Sequence, residues 1–424
     1  MKKILASILA AISVLSLTAC GENPVTPNPA SPSAPQTSDP NSVVTFEKKN
    51  FAPIEITGDN VLNSVRVFDT MYEDNKQAMF SPLSLNMCLG MVETGAAGDT
   101  KKALDAYLGN TDYAKFAEEY LEHAKSFTHE ENNEYSKYKN VFEIANSFWA
   151  SDSRPFNEDY KKRVAESFAA ELETLDFTKS EKAADKINGW VNKKTHEMIP
   201  AIVGPSQLGK DTAAVLVNTI YFESAWSDKW YVPKEKEKFT NADGSTVDIE
   251  LMRNGGNSYF ENDNATAFSC RYKNGMKFIG ILPKNEGDFT LESLDINSLL
   301  ESESWDYDVS ARMPKLNFES SFPLTEALKA AGLEVAFSPS ADFSPMRTDG
   351  EPMWIDEVIQ KTKLELDDEG TKAAAATAII MKDEAAMIDP RETKEVFLNR
   401  PFAFLIYDDE AEQIVFMGKV TALD

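Results

Sequence analysis

The residues that could carry catalysis are few. Three histidines are present, His123, His129 and His196, so most histidine-dependent chemistry is short of parts. His196, in Lys193-Lys-Thr-His-Glu-Met-Ile-Pro200, has no cysteine or histidine beside it and reads as a solvated side chain. One stretch could handle phosphate. Gly204-Pro-Ser-Gln-Leu-Gly209-Lys210 fills the first seven positions of a loop whose backbone N–H groups and lysine cradle phosphates. The eighth is Asp211, where a magnesium-binding hydroxyl belongs, and a helical pattern precedes while a strand-like run follows, the reverse of what such a loop needs. A glycine-bounded turn is the better reading. The chain has no HExxH, no GxSxG elbow, no dinucleotide glycine fingerprint and no EF-hand loop. With 69 acidic residues, carboxylate pairs at helical spacing arise by chance. The chain is therefore expected not to be an enzyme and to hold no metal or cofactor.

Chemistry of another kind lies in residues 363–400, KLELDDEGTKAAAATAIIMKDEAAMIDPRETKEVFLNR. Lys363 to Asp367 alternates polar and apolar, as a strand does, and a hinge follows at Gly370. Ala373-Ala374-Ala375-Ala376-Thr377-Ala378 has almost no side chain to bury. Alanine has the highest helix propensity, so a helical turn on a resting surface loop is one reading. Small side chains also clash with nothing, so the same run could slip between two strands of a closed sheet. A long exposed loop between strands is uncommon enough to mark function.

These segments need a body to position them. The 424 residues are 42% hydrophobic and 26% charged, enough to bury a large core, and the net charge of -26 repels phosphate backbones, excluding nucleic acid as a partner. Lys2 and Lys3 precede an apolar run, Ile4 to Leu17, too short to span a bilayer comfortably. Leu17-Thr18-Ala19-Cys20 resembles the bacterial lipobox, in which the cysteine carries the lipid; a plain secretory leader or a short buried helix is the alternative. Residues 1–19 then form a leader and residues 20–45 the lipidated Cys20 with a proline-rich spacer that cannot bury apolar surface. Cys88 and Cys270 remain, expected as buried, inert thiols or a pair. From Phe46 onward nothing has linker composition, so residues 46–424 read as one domain.

Helices are expected over Asn60–Asp74, from Ser81 as cap with Pro82 in the first turn, and over Lys115–Ser126, Asn157–Ala170 and Glu181–Lys194. Strands are expected over Val141–Trp149, Ala213–Tyr221, Phe278–Leu282, Val309–Met313 and Phe402–Tyr407. Helices dominate the first half and strands the second, which makes the chain α+β.

The hinge Asp368-Glu369-Gly370-Thr371-Lys372-Ala373-Ala374-Ala375-Ala376-Thr377 resembles that of inhibitory serpins. Phe397-Leu-Asn-Arg-Pro-Phe402, Phe416-Met-Gly-Lys-Val420, Phe80-Ser-Pro-Leu-Ser84, Gly95-Ala-Ala-Gly-Asp-Thr100, Ile187-Asn-Gly-Trp-Val-Asn-Lys-Lys-Thr195, Val217-Asn-Thr-Ile-Tyr-Phe222 with Trp226, Met313-Pro-Lys-Leu316 and Ala341-Asp-Phe-Ser344 are similar to further serpin motifs. The resemblance spans residues 46–424 and implies a single-domain α+β fold with three β-sheets, about eight or nine helices and an exposed reactive-centre loop. It also implies a suicide-substrate protease inhibitor: a serine or cysteine protease is trapped as an acyl-enzyme when the cut loop inserts into the central sheet. A non-inhibitory carrier lipoprotein is the alternative.

By the same resemblance, Thr371, Ala373, Ala375 and Thr377 face the core side on insertion. Asp368 stands where the family has a Glu and pairs with Lys315. Trp226 caps the top of the sheet at the breach. Ser81, Ser84 and Asn218 match the shutter cluster, in which Gln360 replaces a usual histidine and removes imidazole gating. Family spacing from Gly370 puts the reactive bond between Glu384 and Ala385, with Lys382 and Met387 as alternatives because the loop is long. The expected partners are a target protease and, through the lipid alone, a membrane. The protein is expected as a monomer on the outer membrane, at its periplasmic face or the cell surface.

Overall fold

The computed structural model describes residues 9–19, 51–72, 77–132, 137–371 and 391–424. Six strands build the site: β1 (Leu9–Ala19), β2 (Lys137–Ser151), β3 (Thr212–Ala225), β4 (Leu316–Pro323), β5 (Met353–Leu366) and β6 (Gly370–Thr371). They belong to an eight-stranded sheet in the order β4-β5-β1-β3-β2 followed by His129–Asn132, with β6 also on β3 and Glu171–Leu175 parallel to β2.

All 14 residues of β3 are buried, and two packed faces account for this. Val215, Val217 and Tyr221 meet Ala183, Ile187 and Val191 of the helix Ser180–Lys194, while the alternate Ala214, Leu216, Ile220 and Phe222 enter the main core. A strand covered on both sides has no need of polar alternation, which is why this run is almost continuously apolar.

A six-stranded sheet (Ser258–Glu261, Ala265–Arg271, Lys277–Pro283, Phe402–Asp408, Gln413–Val420, Gln77–Phe80) packs in the main core. A three-stranded sheet joins Thr393–Phe397, Asp308–Pro314 and Leu251–Asn254, and a ribbon pairs Glu237–Thr240 with Thr246–Ile249. The ribbon is one sheet more than the three expected. The α+β class and the serpin-like single-domain architecture stand as expected. Among the described residues there are eight α-helices. The five that were legible carry apolar stripes or side-chain caps: Asp59 accepts from the N–H groups of Val61 and Leu62, and Ser81 from that of Ser84. Gly98–Tyr107 was missed because it starts on a left-handed glycine with no side-chain cap, and Ile296–Glu301 and Thr325–Leu328 are too short to show a period.

One reading changes here. His196 is not simply solvated: it lies just past its helix with φ 49°, its Nε2 is 3.0 Å from Glu143 Oε2, and its ring stacks on Tyr221 with centroids 4.0 Å apart. Within residues 1–19, the backbone of Leu9–Ala19 forms a strand at the middle of the largest sheet. Gly204–Lys210 is the expected turn, a single 3-10 turn at Pro205–Gln207 running into β3. Cys88 and Cys270 are buried and not bonded to each other, and burial pushes both thiols well above their usual range.

Asp69 gives the fold a pH dependence. Burial pushes its carboxyl up to about 6, against the N–H groups of Leu291 and Glu292, each 2.8 Å away, and the charge of Lys419, which pull it down. A folded value above the unfolded one means the native state binds the extra proton. This group's stabilisation is therefore complete below about pH 4 and is lost as pH rises to about 6. The expected loss is on the order of 2–3 kcal/mol. Urea titrations of the parent and of Asp69→Asn should show this slope in the parent alone; equal slopes would remove Asp69 from the account.

Candidate functional site

The site begins where β5 ends. Asp367 closes a turn by accepting from the N–H groups of Glu369 at 2.9 Å and Gly370 at 3.3 Å, and its own N–H donates to the Gly370 carbonyl at 3.0 Å. Gly370 then enters β6 at φ +149°, where an added Cβ would lie 2.4 Å from the Ser224 carbonyl oxygen. Only glycine fits so close an approach at that torsion. Gly370 sits opposite Ala225 and Thr371 opposite Ser224, so the hinge is already paired to the sheet at its first two rungs.

Thr371 is wholly buried, and its hydroxyl lies 2.9 Å from the Tyr272 hydroxyl. Tyr272 stacks on Trp226 with ring centroids 4.3 Å apart. Trp226 holds the turn twice, its indole N–H donating to the Asp367 carbonyl at 2.8 Å and its backbone N–H to that of Glu369 at 3.1 Å. The Lys315 ammonium lies 2.5 Å from Asp368 Oδ1, so the shorter carboxylate still reaches its partner. Partial burial pulls Lys315 down, but the Asp368 carboxylate outweighs it and holds the ammonium above its ordinary value. The breach residues named from the sequence thus meet around the root of the loop.

Deeper in the same sheet, Gln360 of β5 binds Ser81 in both directions. The Ser81 N–H donates to Gln360 Oε1 at 2.7 Å, and Gln360 Nε2 donates to the Ser81 carbonyl at 3.0 Å. The Ser81 hydroxyl donates to the Val415 carbonyl at 2.7 Å and accepts from the Ser84 N–H at 3.1 Å. Ser81, Ser84 and Gln360 therefore form one cluster. The Asn218 amide donates to Asn146 Oδ1 at 2.8 Å, and Ser13 of β1 lies between Asn218 and Gln360 in the sheet. Asn146, whose own amide donates to the Phe168 carbonyl, went unnoticed in the sequence, although a buried polar residue inside the Val141–Trp149 run was the available signal. Thr362, bonded to the Met79 carbonyl at 2.7 Å, was missed likewise. Replacing Gln360 with Leu strands the Ser81 amide and carbonyl in the core and should cost about 1–3 kcal/mol, read as a lower urea midpoint. An unchanged midpoint would show that the cluster is not holding β5 to its helix.

Past the loop, Arg391 donates to the Trp305 carbonyl at 3.3 Å, and Thr393–Phe397 runs parallel to Asp308–Pro314. The proposed reactive positions Lys382, Glu384, Ala385 and Met387, hinge residues Ala373 to Thr377 and Cys20 lie outside the described residues.

A family model described as Serpin (serine protease inhibitor) matches residues 62–423. Among curated relatives, the chain is 29% identical over 378 residues to neuroserpin of Gallus gallus, covering 85% of this chain and 88% of that one. It is 31% identical over 375 residues to an uncharacterized serpin-like protein of Thermococcus kodakarensis, covering 85% and 84%. Among solved structures, the native state of the thermophilic serpin tengpin superposes with a TM-score of 0.71 at 26% identity, over 88% of this chain and 98% of that one. The latent state of tengpin superposes with a TM-score of 0.69, also at 26% identity, over 87% and 97%.

Proposed function

Because this chain belongs to the serpin family, we propose that it is a protease inhibitor of the suicide-substrate type, anchored by lipid at Cys20 to a bacterial outer membrane. A serine or cysteine protease attacks the carbonyl of Glu384 (Lys382 or Met387 in the alternative registers). The bond to the next residue breaks, its amine leaves with the C-terminal segment, and the acyl group stays on the protease. The cut loop then joins the central sheet as a strand and carries the protease away before water completes the cycle.

The observation that supports this reading most is the state of the hinge. Gly370 and Thr371 are already two rungs into pairing with β3, with Thr371 buried, and Ala373, Ala375 and Thr377, next on the same face of an extended strand, are small enough to continue. Insertion from this start adds backbone hydrogen bonds and buries side chains in sequence, each step following a formed one. A carrier without inhibitory action would have no need of so small a hinge.

The test incubates the processed chain, beginning at Cys20, with a panel of serine and cysteine proteases. An SDS-resistant adduct is expected, together with a released C-terminal fragment whose mass gives the reactive bond. Clean cleavage by every protease without an adduct would overturn the inhibitory reading and favour a carrier. The anchor is checked separately, by detergent partitioning of the parent and of Cys20→Ser.

A further inference from the structure

We propose that the gap between β3 and β5 is a strand-binding site whose occupant, in the unprocessed chain, is the chain's own Leu9–Ala19. This rests on the loop-insertion reading above. The backbone of β1 pairs on both sides: Ala10 faces Tyr221 and Lys363, Ser13 faces Asn218 and Gln360, and Leu15 faces Leu216 and Val358. Since β1 is antiparallel to both neighbours, β3 and β5 run in the same direction as each other. Without β1 they present unpaired backbone groups, or must close into a parallel pair, which is slightly less stable per residue. The gap therefore favours any extended segment that reaches it.

The register identifies what β1 displaces. β6 follows β5 after the turn at Asp367–Glu369, pairs antiparallel with β3, and uses the rungs of Ala225 and Ser224. After one further rung, Glu223, β1 takes over in the same direction with Leu9 opposite Phe222, Ala11 opposite Ile220 and Ser13 opposite Asn218. Extended without a shift, the strand begun by β6 would bring Ala373, Ala375 and Thr377 to those same rungs. The two segments are also alike in kind, with Ala11 for Ala375, Ser13 for Thr377 and Leu15 for Ile379. One slot cannot hold both. While residues 9–19 remain attached and seated, the cut loop has nowhere to go, and the chain is a substrate rather than an inhibitor. Loss of the leader opens the site.

The test uses the full chain and its Val14→Pro variant, because proline inside a strand paired on both sides removes a ladder hydrogen bond. Each is nicked in the loop between residues 378 and 390 by a catalytic amount of endopeptidase, and the melting temperature is read before and after. The full chain is expected to melt unchanged, and the variant to melt higher by about 10 °C or more after nicking. A rise in both overturns the proposal and leaves loop insertion standing. A rise in neither overturns loop insertion itself, and this proposal with it. Amide exchange on the unmodified full chain is the second measurement: residues 9–19 are expected to exchange as slowly as β3 and β5. Fast exchange there overturns the proposal whether or not the variant folds.

Discussion

Thr371→Arg should convert the processed protein from inhibitor to substrate. Thr371 is fully buried against β3, with its hydroxyl 2.9 Å from that of Tyr272, and no acidic group hydrogen-bonds to either hydroxyl among the described residues. A guanidinium placed there is a buried charge without a partner, which costs several kcal/mol. The resting fold can avoid most of that cost by releasing the two residues of β6. An inserted loop cannot, because the strand must pass through this rung before any later one pairs. Each ~1.4 kcal/mol added to that step slows it tenfold relative to hydrolysis of the acyl-enzyme. The expected result is loss of the SDS-resistant adduct by at least about tenfold, with the loop still cleaved at its original bond. Lys372→Glu, at the next position and expected by alternation to face solvent, is the control and should trap normally. Equal trapping by Thr371→Arg and the parent would mean that Thr371 need not enter the sheet.

Trp226→Ala should be the most damaging single change at the breach. The indole is 2% exposed, stacks on Tyr272, and meets Phe278 edge-on with centroids 5.9 Å apart. Truncation leaves a cavity the size of most of an indole and strands the Asp367 carbonyl, for a loss of about 3–5 kcal/mol. Trp226→Phe keeps much of the packing and removes the N–H donor, and should cost nearer 1 kcal/mol. Urea midpoints of the two variants separate packing from hydrogen bonding. A loss below about 1 kcal/mol for the alanine variant would show that the turn is held by Lys315–Asp368 and the backbone instead.

The serpin body was readable because its signals are local or repetitive. Ser81-Pro82 announces a helix start by chemistry within one turn, and the apolar run of β3 announces a strand covered on both faces. Gly370 was legible for the same reason: a close approach to the Ser224 carbonyl at φ +149° is a demand that one residue meets alone. Pairings between distant segments left no such trace. That Asn218 bonds Asn146 depends on β2 pairing with β3 in the register that sets the two opposite one another. That His196 stacks on Tyr221 depends on a left-handed residue after its helix.

The amino-acid order alone determined the class, the cap chemistry and the small residues of the hinge, since each rests on neighbours a few positions apart. Only the tertiary structure decided which strands the backbone of Leu9–Ala19 lies between. Its apolar run reads as a leader and carries no mark of which strands it would lie between. The choice came from the open hydrogen-bonding edges of β3 and β5, more than 190 positions away along the chain. Backbone groups pair with whatever extended segment reaches them, so no reading of one segment could have told which would take the slot.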